Sequence, residues 1–177
     1  MVKLFVCKVC GEPYIGGDAP DDCPFCGAPK GLIKPFEEYS QIWDTPLTEQ
    51  EKTDVKATLD LEVNATSYYD KVAKGQPRYS RYNRLFKQLA RTELEHAEIA
   101  AKTLKIPLPD LKGEDSKGSV AKDLERAREL EDHATNLYKK FLKNASNPKI
   151  KMLFTALIHA EDGHHKIAGD ELRRKPC

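Results

Sequence analysis

The sequence predicts an all-α protein, a four-helix bundle with one long crossover, preceded by a small N-terminal metal-binding module. Two observations predict it. The first is a duplicated pattern: Glu62, Tyr69, Phe86, Glu93 and His96 recur at nearly the same spacing as Glu131, Tyr138, Phe154, Glu161 and His164, and the first arms of both copies read Glu-x-x-Ala-Thr-x-x-Tyr. The second is a pair of Cys-x-x-Cys motifs, Cys7/Cys10 and Cys23/Cys26, in a leading segment rich in Gly, Pro and Asp. That segment lacks the periodicity of a long helix or a buried strand and is a small module that needs a staple.

Helical character begins at Thr48, where Thr48-x-x-Glu51 forms a capping box and Val55, Leu59, Glu62, Thr66, Tyr69 and Ala73 then share one face. Gly75 and Pro77 end this first helix. The second begins near Ser80, places Phe86, Leu89, Glu93, His96, Ala100 and Leu104 on one face, and stops before Pro107 and Pro109. The third runs from about Ser119 to Lys143 through Leu124, Ala127, Glu131, Ala134, Tyr138 and Phe141. Asn147 and Pro148 suit the N-cap and first turn of the fourth, with Ile150, Phe154, Leu157, Glu161, His164 and Ala168 facing inward. Short links make each successive pair an antiparallel hairpin, and the stretch from Lys105 to Gly118 is a single long crossover between hairpins. Because the hairpins carry the repeat, a pseudo-twofold should set their inward carboxylates opposite one another. The domain division expected is residues 1–38 for the cysteine module and 39–177 for the bundle.

Composition excludes several functions. With 29 Lys and Arg against 28 Asp and Glu, the chain has a net charge of +1 and no basic block, which removes the electrostatic case for nucleic acid. No apolar run reaches the roughly 18 residues of a membrane span, and the apolar stretch at Phe5 is too short for a signal peptide, so a cytoplasmic protein is expected. Four of the five cysteines fall in paired motifs suited to a metal in a reducing compartment; Cys177 has no evident partner.

A helical glutamate is ordinarily a solvated residue. Glu62, Glu93, Glu131 and Glu161 instead lie within apolar stripes, where an unpaired carboxylate would cost several kcal/mol or take up a proton. Residues three apart on a helix are neighbours, so Glu93 with His96 and Glu161 with His164 can each serve a metal site, with Glu62 and Glu131 completing the set. Four carboxylates and two imidazoles without thiolate suit a pair of iron or manganese ions bridged by carboxylate. Tyr69 and Tyr138 are placed either to donate to the carboxylates or to pack the core, whereas His133, His159 and His165 are expected at the surface or behind the ligands. Cys7, Cys10, Cys23 and Cys26 form a tetrahedral tetrathiolate site for which spacing alone leaves iron and zinc equally open. A redox metal pair in the same chain favours iron, which can supply electrons singly.

The run Cys7-Lys-Val-Cys-Gly with Ala19-Pro-Asp-Asp-Cys-Pro-Phe-Cys-Gly-Ala-Pro-Lys30 resembles the rubredoxin-like domain of rubrerythrins, and the bundle with Glu93-x-x-His96 and Glu161-x-x-His164 resembles their ferritin-like di-iron domain. The cysteine module leads rather than follows, as in reversed members of the family. The resemblance implies a peroxidase reducing hydrogen peroxide to water, with electrons passing from NAD(P)H through a separate reductase to a mononuclear iron held by the four cysteines and then to the di-iron site. It also implies a homodimer or higher homo-oligomer, in which one subunit's thiolate centre often serves another's metal pair. Rubrerythrins usually carry a further Glu three residues after the third-helix ligand; here that place is Ala134. The symmetric six-ligand set leaves an alternative, a di-iron oxidase or ferroxidase acting on dioxygen or ferrous iron.

Overall fold

The computed structural model describes residues 1–40 and 42–174. At the N-terminus, β1 (Lys3–Cys7), β2 (Pro13–Gly16) and β3 (Ile33–Pro35) form an antiparallel sheet of order β2-β1-β3. Lys3 pairs with Gly16 across one edge of β1, and Cys7 with Ile33 across the other. Single 3-10 turns at Lys30–Leu32 and Phe36–Glu38 flank β3.

Four helices follow: α1 (Glu49–Gly75), α2 (Arg81–Leu104), α3 (Val120–Asn144) and α4 (Pro148–Arg173). At about 1.5 Å per residue the longest spans roughly 40 Å, so every helix crosses the whole bundle. Their starts are those the sequence predicts. The Thr48 hydroxyl accepts from Glu51 N–H while Glu51 accepts from Thr48 N–H, and Ser80, Ser119 and Asn147 cap the other three. These caps satisfy amides that a helix start leaves without intrahelical partners.

The helices pack as two hairpins, α1 with α2 and α3 with α4, joined by the expected crossover. That crossover lies along α1, where Lys71 Nζ donates to the Gly113 carbonyl at 2.7 Å and pairs with Asp115 at 2.8 Å. Its end is fastened by Asp123, a fully buried carboxylate accepting from Tyr68 Oη at 2.7 Å, Lys117 N–H at 2.6 Å and Ser116 Oγ at 2.7 Å.

The interior divides into two apolar layers. One is built around Tyr68, Tyr69, Phe86 and Leu124; the other around Leu59, Tyr138, Phe141 and Phe154, and it includes the four motif cysteines. The cysteine module is therefore part of the bundle's packing. The repeat is visible in the aromatics: Tyr69 and Phe86 have ring centroids 6.0 Å apart, Tyr138 and Phe154 6.1 Å. Each such ring removes apolar area worth about 2–3 kcal/mol from water.

Candidate metal centres

In the cysteine module, the turns after Cys7 and Cys23 close when Gly11 N–H donates to the Cys7 carbonyl and Gly27 N–H to that of Cys23, both at 2.9 Å. Gly11 and Gly27 have φ of +82° and +68°, the left-handed backbone that glycine adopts without strain. Together the turns gather four buried sulfurs, with Cys7 Sγ 3.7 Å from Cys26 Sγ and Cys10 Sγ 3.8 Å from Cys23 Sγ. A metal–sulfur bond of about 2.3 Å implies tetrahedron edges of about 3.8 Å, so the spacing fits a tetrathiolate metal and is far too long for a disulfide. Hydrogen bonding led by Cys10 pulls the Cys7 and Cys23 thiols below their ordinary range, while Cys10 and Cys26 are pushed up. Four sulfurs this close become thiolates together only around a cation.

The second cluster lies between the helices. Glu62 on α1, Glu93 and His96 on α2 and Glu161 on α4 bring ligand atoms within 4.8 Å of one another; Glu93, Glu131 on α3, Glu161 and His164 do the same. Glu93 and Glu161 belong to both groups, the placement of carboxylates that bridge two metals, and Glu62 with His96 and Glu131 with His164 stand at the two ends. All six residues predicted from sequence are thus brought together, as are the four cysteines.

At its centre the donor atoms face one another rather than hydrogen-bond donors. His96 Nδ1 lies 2.9 Å from Glu93 Oε2 and 3.2 Å from Glu161 Oε1, yet His96 Nδ1, both Glu93 oxygens and Glu161 Oε1 are buried without a hydrogen-bond partner among the described residues. Orphaned buried lone pairs are costly, and their convergence is explained by a cation between them. Burial raises the Glu62 and Glu131 carboxyls well above their ordinary range, reinforced by the neighbouring glutamates. Burial also opposes the charge on Glu161, but the His96 and His164 imidazoles more than offset it and hold that carboxyl low. The residues present therefore fit two metal ions.

Behind the ligands, Tyr69 donates to Glu131 Oε1 and Tyr138 donates to Glu62 Oε1, each from one hairpin to the other. Both tyrosines are fully buried, and burial followed by the adjacent carboxylate raises their hydroxyls well above the usual range, so they remain donors. Of the two roles the sequence left open, hydrogen bonding to the end carboxylates is the one adopted, with core packing alongside. Among the other histidines, His159 is half-exposed and pairs with Asp22 of the cysteine module at 2.7 Å.

One contact escaped sequence reasoning. His96 Nε2–H donates to the carbonyl of Cys26 at 2.9 Å, which joins the two clusters within one chain and turns Nδ1 toward the glutamates. A carbonyl has no sequence signal. The only trace is Ala160, whose small side chain lets Gly27 approach so closely that a Cβ on Gly27 would lie 2.9 Å from Ala160 Cβ.

These features define a class: a tetrathiolate module packed on a four-helix bundle that carries a carboxylate–histidine site for two metals. Residues 5–32 match the family model described as rubrerythrin, rubredoxin-like domain. The chain is 30% identical over 117 residues to reverse rubrerythrin-1 of Clostridium acetobutylicum, a match spanning 58% of this chain and 62% of that protein. In this chain, as the sequence order shows, the segment that matches the rubredoxin-like model precedes the helical domain. Among solved structures, a hypothetical protein from Pyrococcus furiosus shares the fold with a TM-score of 0.58 at 16% identity, covering 70% of this chain and 88% of that one. No helix among the described residues is long and apolar enough to cross a membrane. Cys177 lies outside the described residues.

Proposed function

We propose that the protein is a non-haem di-iron peroxidase: it reduces hydrogen peroxide to water, H2O2 + 2 e− + 2 H+ → 2 H2O, with electrons from an NAD(P)H-linked reductase. The observation that carries this reading is the 2.9 Å contact between the Cys26 carbonyl and His96 Nε2, which ties a one-electron thiolate site to a two-metal site in the same chain. When loaded, iron held by Cys7, Cys10, Cys23 and Cys26 would relay single electrons, and iron held by Glu62, Glu93, His96, Glu131, Glu161 and His164 would supply both electrons needed to break the O–O bond. Residues 1–38 act as the electron-entry module and residues 39–177 as the catalytic bundle.

The chain's own groups divide the remaining work. Tyr69 and Tyr138 fix the end carboxylates, so that Glu131 and Glu62 keep one oxygen turned inward. Cys26 holds His96 in the tautomer whose Nδ1 faces the glutamates. The His96 side chain is completely covered whereas that of His164 is 11% exposed, so the substrate enters at the His164 end. The packed cysteine module keeps water from the other end.

A second reading has its own observation. Ala134, where a seventh carboxylate would stand, is 1% exposed and packed in the core, which leaves the symmetric set of a dioxygen-consuming oxidase or ferroxidase. Stopped-flow mixing of the reduced, iron-loaded protein with peroxide or with dioxygen separates the two. The peroxidase reading requires faster oxidation by peroxide; equal or faster oxidation by dioxygen overturns it.

A further inference from the structure

The clefts on the outer face of α2 are not absorbed by the two metal clusters. One, of about 580 Å³, lies beside the α1–α2 turn and is lined by Lys74, Arg78, Arg84, Lys87 and Arg91, with Asp70 as its single acidic side chain. Asp70 is already paired with Lys74 at 2.5 Å. Arg78, Arg84, Lys87 and Arg91 are exposed and form no ion pair with a carboxylate among the described residues. Four cations without anions are a strong local field in a chain whose net charge is only +1.

The position of this field gives it meaning. A second cleft, of about 370 Å³, shares Gln88 and Arg91 with the first and is lined on its other side by Pro24 and Phe25. Pro24 and Phe25 are the two residues between Cys23 and Cys26, and Phe25 is 39% exposed. The basic face thus runs up to an exposed aromatic ring set between two of the thiolates. At its far end is a second exposed ring, Tyr79, with the Arg78 guanidinium 4.7 Å from its centroid. Exposed aromatics and arginines bounding a charged face are the anchors that protein interfaces use.

We propose that this face, from Tyr79 through Arg84, Lys87 and Arg91 to Phe25, is the docking surface for an acidic electron-donor protein that reduces the tetrathiolate centre at the Cys23–Cys26 turn. The proposal rests on the electron-relay reading above and supplies its entry point. Each encounter oxidises the donor by one electron and reduces the tetrathiolate iron by one, so two encounters serve each peroxide. A small anion could fill the basic cleft, but it would leave Phe25 and the second cleft unused. Glu95 and Glu98 in that second cleft limit the basic face on the side beyond Phe25 and fix the donor's orientation.

The test uses the iron-loaded full chain and, as probe, an acidic flavodoxin reduced to its hydroquinone. Bleaching of the ferric tetrathiolate absorption after rapid mixing gives the second-order rate, and calorimetric titration gives the Kd. R84E/K87E/R91E is expected to lower the rate by about tenfold or more at low ionic strength, to weaken Kd in parallel and to flatten the salt dependence. R84Q/K87Q/R91Q should show a smaller loss in the same direction, which preserves the test if the reversed variant folds poorly. Reduction by the cationic methyl viologen radical should not slow. K139E/K140E/K143E on α3, with the same change in charge, should stay within about twofold of the parent. An unchanged flavodoxin rate in both α2 variants, an equal loss in the α3 variant, or protection of the cleft by pyrophosphate without flavodoxin binding overturns the proposal. Viologen-driven peroxide consumption by the parent protein is measured separately: its absence overturns the peroxidase reading and leaves the docking result standing.

Discussion

Replacing Tyr69 with phenylalanine removes one hydroxyl from a fully buried ring that already packs on Phe86, so the change is almost purely the loss of the hydrogen bond to Glu131 Oε1. A hydrogen bond to a charged acceptor is worth about 1.5–3 kcal/mol, and the oxygen left behind is too deeply buried for water to replace the donor. At about 1.4 kcal/mol per factor of ten, the metal at the Glu131–His164 end should bind about 10- to 100-fold more weakly. Tyr138→Phe removes the donor to Glu62 and should weaken the Glu62–His96 end by a similar factor. The two variants therefore weaken different halves of one site. Competition with a chelator under anaerobic conditions, read as stepwise loss of two metals, gives the affinity of each, and the spectrum of the metal pair identifies which end is lost. Equal weakening of both metals by either variant would refute the assignment of each tyrosine to one end. Unchanged affinities in both would return the tyrosines to core packing alone.

Two further outcomes follow from the structure. Glu51 joins the starts of α1 and α4 by accepting from Thr48 N–H, Ser146 N–H and Asn147 N–H at 2.9 to 3.0 Å; burial pushes its carboxyl up, but these bonds more than offset that and lower it from 4.5 to about 2. Its stabilisation is therefore complete above pH 4.5 and is lost as the pH falls toward 2, so Glu51→Gln should cost about 2–3 kcal/mol in urea unfolding at pH 7, and a gap from the parent that stayed constant down to pH 2.5 would contradict this. Gly27→Ala must place a side chain at φ +68° and 2.9 Å from Ala160 Cβ, which should cost about 1–2 kcal/mol and slow electron transfer between the clusters while the tetrathiolate absorption stays intact; an unchanged internal transfer rate would count against the route through Cys26.

The amino-acid sequence by itself determined the helices, their starts and which carboxylates, imidazoles and thiols are gathered into two clusters. Helix starts are local chemistry, as Thr48 with Glu51 and Asn147 with Pro148 illustrate, and a glutamate inside an apolar stripe announces itself because burial of an unpaired charge is so unfavourable. Duplication then implies hairpins that face one another across a pseudo-twofold. The tertiary structure alone decided how the parts meet. Which tyrosine serves which glutamate is a contact between hairpins, and each donates across to the other one. The bond from His96 to Cys26 depends on a backbone carbonyl, which every residue has, and on the fit of Gly27 against Ala160. Asp123 looks like an ordinary helical acid in the sequence, and Glu51 like a capping residue alone; packing shows both buried, because Tyr68 reaches Asp123 and the Ser146 and Asn147 amides reach Glu51 from far along the chain. The basic face of α2 was similarly hidden by a net charge of only +1, since net charge sums over the molecule whereas folding decides which cations stand unpaired beside the thiolate turn.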